Sequence, residues 1–394
     1  MRGLSLGHLD ADEIVASART QTGLVDLDDQ AILEGLNVYV RSLNDEARLT
    51  ARGAQTIRGS LVQALANRLR VDDYLARRRE LLNRPVTKPM FVFGLPRTGT
   101  TLTINLLNED PARRCLLRWE ALDSVPPPQA AELSSDPRYV REQARLDAAV
   151  RHAPQIAAIH YEEADSPTEC QYVMAQSFCA QLFEAQVHVP TYRRWWLQAS
   201  YRPAFDYHKR FLQLLQSAAP GHWTLKNPWH ALYLDDLTAV YPDAQLVMTH
   251  RNPVEVVGSF CSLIQNVRAM FSEAVDLRII GKEALDTFSE MIRRSEAYRR
   301  KHGREAIYDL QYAELMSDPI GQVRAIYHCF GDIWTVAAEE RMTALLAKHA
   351  QGRHGRHNYS LEAFGLSQGT VLERFQNYCR DFDLGPPPTK NQRQ

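Results

Sequence analysis

The chain has 394 residues, 45% hydrophobic and 24% charged, so there is ample apolar material for a core and global disorder is excluded. Its 46 basic and 47 acidic side chains leave a net charge of −1, which excludes a protein that coats nucleic acid by bulk charge but leaves room for a local anion site. Six scattered cysteines, with no CxxC spacing, suggest neither a zinc ribbon nor a thioredoxin-type motif and fit a reducing compartment.

The first residues carry Asp10, Asp12 and Glu13 and lack the apolar run of a signal peptide. No stretch of 18 apolar residues occurs, so no transmembrane segment is expected and the protein reads as cytoplasmic. Residues 10–85 read as helical, with helices over 28–43 and 54–80, and Arg77-Arg78-Arg79 as a solvated face. At Pro89-Met90-Phe91-Val92-Phe93-Gly94 the pattern becomes a short apolar run bounded by turn residues, as in a buried parallel strand, and a helix over 99–108 should follow. Pro126-Pro127-Pro128 then breaks the chain into a linker. Ser166-Pro167-Thr168-Glu169 has the form of a helix start, with Ser at N-cap, Pro at N1 and Glu at N3, and predicts a helix to about residue 186 in which Glu169 is a capping residue.

An aromatic-rich stretch follows, from Tyr192 through Trp195, Trp196, Tyr201, Phe205 and Tyr207 to Phe211, which either packs in the core or walls a pocket. Further strands are predicted over 222–226, 245–250 and 306–310, with helices between them, and near 318–330, 336–349 and 367–382. A polar Gly/Arg/His segment at 351–358 and a tail from Pro386 complete the chain. Strands alternating with helices imply a parallel sheet. The length first suggests two or three domains. The pattern resolves into a helical N-terminal extension, 1–85, and one α/β domain, 86–394, with a P-loop-like three-layer sandwich around a central parallel sheet.

Gly94-Leu95-Pro96-Arg97-Thr98-Gly99-Thr100-Thr101 lies between the first predicted strand and a helix. Such a loop points backbone N–H groups inward and adds the positive end of a helix dipole, so phosphate or sulfonate oxygens are natural occupants. The lysine of a nucleoside-triphosphate P-loop is replaced by Thr100, and no obvious magnesium-binding Asp ends a later strand. These absences argue against a small-molecule kinase, which stays as an alternative.

The segment Leu95 to Leu102 resembles the 5′-phosphosulfate loop of sulfotransferases that use 3′-phosphoadenosine-5′-phosphosulfate (PAPS), in the form found in tyrosylprotein sulfotransferases and a bacterial branch. His250-Arg251-Asn252-Pro253, followed by Ser259, is similar to the family's 3′-phosphate element, an Arg at a strand end and a Ser eight residues later. Tyr312-Ala313-Glu314-Leu315 with Asp318-Pro319 is a fainter match. Arg353-His354-Gly355-Arg356-His357 lies where the family has a basic loop over the nucleotide, but departs from its usual form. The resemblance spans roughly residues 89 to 360 and leaves 1–85 unexplained.

The resemblance implies transfer of a sulfonate from PAPS to a hydroxyl of a small-molecule or lipidic acceptor, leaving 3′-phosphoadenosine-5′-phosphate (PAP), with no metal. It implies cofactor contacts from Arg97, Thr98, Gly99, Thr100, Thr101, Arg251, Ser259, Arg353 and Arg356, and a sulfonate contact from Lys226 after a second strand. For the base it offers Glu120, about two dozen residues beyond Arg97. His230 is the rival, because an unperturbed imidazole titrates near neutrality. A catalytically idle nucleotide-binding relative is the other alternative. The acceptor and the oligomeric state, a homo-oligomer included, stay open.

Overall fold

The computed structural model describes residues 8–27, 30–152, 162–348 and 360–385. Arg353 and Arg356, and the tail from Pro386, lie outside the described residues.

Five parallel strands form one sheet in the order β2-β3-β1-β4-β5: β1 Met90–Gly94, β2 Arg113–Cys115, β3 His222–Lys226, β4 Gln245–His250 and β5 Tyr308–Gln311. All five residues of β1 and all six of β4 are buried, which is why β1 reads as a continuous apolar run rather than an alternating one, while β4 also buries Gln245, Thr249 and His250. Their side chains divide by parity between two cores. Phe91, Phe93, Leu246 and Met248 face one cluster, and Met90, Val92, Val247 and Leu310 face the other with Leu106, Leu107, Val323, Ile326 and Met342. Helices therefore cover both faces, and the three-layer α/β sandwich expected from the sequence is the fold observed.

Three helices precede the sheet: α1 Ala11–Thr22, α2 Gln30–Glu46 and α3 Ala51–Arg77. Their buried residues, such as Ile14, Leu36, Tyr39 and Leu65, belong to the same cluster as Phe91 and Phe93. Polar contacts reinforce this packing: Asn67 Nδ2 donates to Ser124 Oγ and Gln176 Oε1, and the Arg68 guanidinium lies 3.7 Å over the Tyr207 ring. At the start of α3, Thr50 N donates to Phe271 O at 2.9 Å, and a Cβ on Gly53 would come within 2.1 Å of that carbonyl, so a glycine is needed for this close approach.

After β1 come α4 Thr100–Asn108, then α5 Pro253–Arg268 following β4 and the long α6 Leu277–His302. Strand β2, only three residues long, was not expected from the sequence; a run of Arg-Arg-Cys carries no strand periodicity. The helix expected over 166–186 is also absent as such. Ser166 Oγ accepts from Glu163 N, behind it, and does not cap ahead. Thr168 N donates to Leu116 O and Cys170 N to Lys226 O, so the segment pairs as an extended edge, with bridges Leu117–Pro167 and Glu169–Lys226. Tertiary pairing overrides the local helix-start pattern. Helical turns resume at Gln171–Met174, Ala175–Ser177 and Leu182–Gln186.

The aromatic stretch forms helices Pro190–Gln198 and Arg202–Leu215 and is a core element. Tyr192, Trp196, Tyr201, Phe205, Tyr207 and Phe211 are all buried, with Tyr201 stacked on Tyr233 at 3.4 Å. The pocket-wall alternative for these side chains is thereby set aside. The predicted helix over 367–382 is two short ones, Gln368–Arg374 and Gln376–Asp381.

Candidate functional site

Strand register brings three chain turns to one edge. Val92 pairs with Lys226 and Gly94 with Thr249, so the segments after β1, β3 and β4 leave the sheet side by side. From β1 the chain passes to β2 at the sheet edge, comes back to β3 beside β1, and then crosses to β4 on the other side of β1. The crevice at that reversal, beyond the carboxyl ends of the strands, is where open α/β sheets bind ligands.

A cavity of about 540 Å³ opens there. Pro96, Arg97, Gly99, Thr100 and Thr101 line one end. Gly99 takes φ +98 as the N-cap of α4, with no side-chain cap, so the first turn of the helix faces the loop. A Cβ on Gly99 would stand 3.0 Å from Leu315 and 3.1 Å from Tyr312, in a backbone conformation that L-residues rarely adopt. The loop thus has the form of a cradle for an anion at a helix N-terminus. Arg97 itself sits at φ +69, in the left-handed region that long side chains seldom occupy. In that conformation its Nε donates to Ser259 Oγ at 3.2 Å, and its carbonyl accepts from Arg251 Nη1 at 3.1 Å. Arg97, Arg251 and Ser259, far apart in sequence, therefore meet.

Thr98 does not join the lining. It is fully buried, and its hydroxyl bonds Leu95 O and Thr249 Oγ1, tying the loop to β4. Lys226 is likewise buried, just beneath the lining: its ammonium is 3.4 Å from Thr101 Oγ1, 3.5 Å from Glu169 and 4.0 Å from Glu162. Glu169 and Glu162 both line the cavity, with Arg118. Arg118 donates to Glu162 at 2.8 Å, Glu142 at 3.0 Å and the Tyr172 hydroxyl at 3.0 Å, and Thr168 Oγ1 donates to Glu162 at 3.1 Å. Glu162 is thus held on several sides. Glu169 accepts from Gln171 Nε2 and faces the ammonium, and its side chain is the more exposed of the two, at 12% against 4%. Beyond these groups the wall is mostly apolar, with Leu182, Ala185, Phe271 and, on α5, Phe260, Leu263, Ile264 and Val267, interrupted by Arg145, Gln181 and Gln186.

The two residues the sequence offered as bases lie elsewhere. Glu120 is fully buried outside the cavity lining, ion-paired to Arg114, with Leu117 N donating to its other oxygen at 3.3 Å. Burial pushes its carboxyl up, against the opposing pull of Arg114. His230 packs edge-on to Phe91, beside Phe205, and also lies outside the lining. Burial, and secondarily His208, holds its imidazole well below the usual histidine range. The sequence pattern missed Glu162 and Arg118, and placed Glu169 in a cap; all three enter the site only through the edge pairing of 166–170. Tyr312, from the fainter motif match, lines the cavity, and its ring lies 4.1 Å from the Arg251 guanidinium.

The buried imidazoles give a stability prediction. Burial drives His208 down to about 3, and His230 is also well below 6.5. Both folded values lie below the unfolded one, so the unfolded chain binds more protons in acid. The stabilising contribution is complete above about pH 6.5 and is lost as pH falls toward 3, with a slope of about 1.4 kcal/mol per pH unit for each histidine. Denaturant unfolding between pH 7 and 5 should show His230→Leu with a shallower acid loss than the parent by one such slope; equal slopes would mean that His230 charges freely in the fold.

Among the described residues there is no group of three or more His, Cys, Asp or Glu able to hold a metal, and no helix long and apolar enough to cross a membrane. The model of the Sulfotransferase family matches residues 89–335. The crystal structure of sulfotransferase STF9 from Mycobacterium avium is similar with a TM-score of 0.90 at 32% identity, covering 98% of this chain and 99% of that one. That of sulfotransferase STF1 from Mycobacterium tuberculosis H37Rv gives 0.85 at 34% identity, covering 95% and 100%. The omega-hydroxy-beta-dihydromenaquinone-9 sulfotransferase Stf3 of Mycobacterium tuberculosis and of Mycobacterium bovis is 23% identical over 175 residues, 42% of this chain and 44% of the relative. The match therefore spans less than half the length of those curated relatives.

Proposed function

The chain belongs to the sulfotransferase family, and from that premise we propose that it transfers a sulfonate from PAPS to the hydroxyl of a long, apolar acceptor. The observation that carries this reading is the cavity's polarity. Its Arg97–Thr101 end suits a phosphosulfate, and its α5 end suits a hydrocarbon, with Lys226, Glu169 and Glu162 between them. An acceptor of lipidic character also agrees with the menaquinone derivative in the name of the Stf3 relatives.

PAPS supplies the sulfonate and the nucleotide leaving group. The loop N–H groups, Thr100 and Thr101 hold the 5′ end, while Arg251 and Ser259 take the 3′-phosphate through charge-assisted and hydroxyl hydrogen bonds. Arg97 and Lys226 stabilise charge on the transferring group and on the oxygen that separates from it. Glu169 accepts the proton of the acceptor hydroxyl as that oxygen bonds sulfur and the bond from sulfur to the phosphate oxygen breaks. The apolar wall excludes water and places the hydroxyl in line. The helices before residue 85 serve as a buttress, since α3 meets the backbone of Phe271 at the cavity's apolar end.

The test is to incubate the protein with PAPS and long-chain primary alcohols or hydroxylated quinols, following PAP release and the sulfated product. Arg97→Ala with Arg251→Ala should weaken PAP binding by about 10²–10⁴-fold, since each charged contact contributes about 1.5–3 kcal/mol. Failure of the parent to bind PAPS, or undiminished PAP binding by the double variant, overturns the reading.

A further inference from the structure

We infer that Glu255 is a built-in competitor of the nucleotide 3′-phosphate: it holds the Arg251 fork in the ligand-free protein and must release it when the nucleotide binds. The inference rests on the PAPS reading above and adds a residue that sets nucleotide affinity and selectivity.

Arg251 is already committed on every side. Its Nε donates to Glu255 Oε2 at 3.0 Å, and Nη2 contacts the same oxygen. Its Nη1 donates to the Arg97 carbonyl at 3.1 Å, and its flat face lies on the Tyr312 ring at 4.1 Å. A guanidinium binds phosphate bidentately through one of its two-nitrogen edges. The Nε–Nη2 edge is occupied by the carboxylate, and the other edge is pinned at Nη1 to the loop. A phosphate that takes the Nε–Nη2 edge must therefore displace Glu255, and one at the other edge meets the Arg97 carbonyl and the nearby carboxylate.

The exchange is physically accessible. Glu255 follows Arg251 by one helical turn, in the first turn of α5, where a carboxylate is favoured by the helix dipole with or without the arginine. Both side chains are partly exposed, at 25% and 19%, so the displaced carboxylate reaches solvent at moderate cost. The second donor is pre-engaged in the same manner, since Ser259 Oγ accepts from Arg97 Nε at 3.2 Å. The internal acceptors keep Arg251 and Arg97 oriented before binding, and an anion has to outcompete them. A ligand lacking the 3′-phosphate has no reason to disturb the Arg251–Glu255 pair, so the competition acts on 3′-phosphorylated nucleotides alone.

The experiment is calorimetric titration of the full chain and of Glu255→Gln with PAP and with 5′-AMP, which lacks the 3′-phosphate. Glu255→Gln should bind PAP roughly tenfold more tightly, equivalent to about 1.4 kcal/mol, with AMP affinity unchanged. PAP binding that is unchanged or weaker in the variant would show that Glu255 stays in place and orients Arg251, and would overturn the inference. Equal tightening for PAP and AMP would also overturn it, because the effect would then be one of general charge. If the parent binds PAP no better than AMP, the PAPS reading itself fails, and that result is distinct from the others.

Discussion

Glu169→Gln is expected to lower turnover by about 10²–10⁴-fold, the range lost with a positioned general base, while PAP affinity stays within a small factor of the parent. The carboxylate lines the cavity 3.5 Å from the Lys226 ammonium, which in turn reaches Thr101 of the phosphate loop. A proton acceptor is needed next to the hydroxyl that attacks sulfur, and this position lies between the anion-binding end and the apolar wall. Glutamine preserves the size of the side chain and an acceptor for Lys226, but removes both the ability to take the proton and the negative charge paired with that buried ammonium, so turnover is taken per folded molecule beside a thermal melt. The neighbouring Glu162 accepts from both Arg118 and Thr168 through its Oε2, while Oε1 faces the Lys226 ammonium at 4.0 Å, which makes it the second candidate. Single-turnover rates with saturating PAPS separate chemistry from product release. A normal rate in Glu169→Gln, with loss in Glu162→Gln, would transfer the role to Glu162.

The contrast between these carboxylates and the arginines marks what was legible in the sequence. Arg97 and Arg251 sit in local motifs, strand then loop then helix, whose spacing already dictates their placement. The sheet aligns the ends of β1 and β4, and the two arginines meet as expected. Strand β1 was readable because burial on both faces produces an unbroken apolar run, and β4 through its Leu246-Val247-Met248 centre; β3, His-Trp-Thr-Leu-Lys, carries a weaker signal. Glu169 was not readable as a site residue. Ser-Pro-Thr-Glu satisfies every local rule for a helix start, and only the nonlocal bonds from Thr168 to Leu116 and from Cys170 to Lys226 pull the segment into an extended edge. Strand β2 and the edge pairing belong to the same region, so one missed tertiary contact accounts for both the lost helix and the misplaced carboxylate. Glu120 illustrates the converse: spacing from the phosphate loop suggested a base, while the fold buries the carboxylate against Arg114, outside the cavity lining.

Glu120→Gln should accordingly unfold more easily without losing chemistry. Its carboxylate is fully buried against Arg114, whose guanidinium is 5% exposed and lies 4.5 Å over the Trp223 ring. Neutralising the glutamate leaves a cation in the interior with one weakened acceptor, and breaking such a pair by changing one member costs about 3–5 kcal/mol. The amide still accepts one hydrogen bond, which places the loss at the lower end, a fall in Tm on the order of 3–5 °C for a chain of this length. Replacing both partners with apolar side chains, Arg114→Met with Glu120→Leu, removes the uncompensated charge and should recover most of the stability. Thermal melts of Arg114→Met, Glu120→Leu and the double variant beside the parent form the cycle; Glu120→Gln is melted beside them, and PAP titration and turnover per folded molecule are measured on all these samples. Stability recovered in the double variant, with turnover near the parent value, fixes Glu120 as a structural ion-pair partner. Loss of turnover in Glu120→Gln with an unchanged melting temperature would instead restore it as the base and require its carboxyl to reach the cavity.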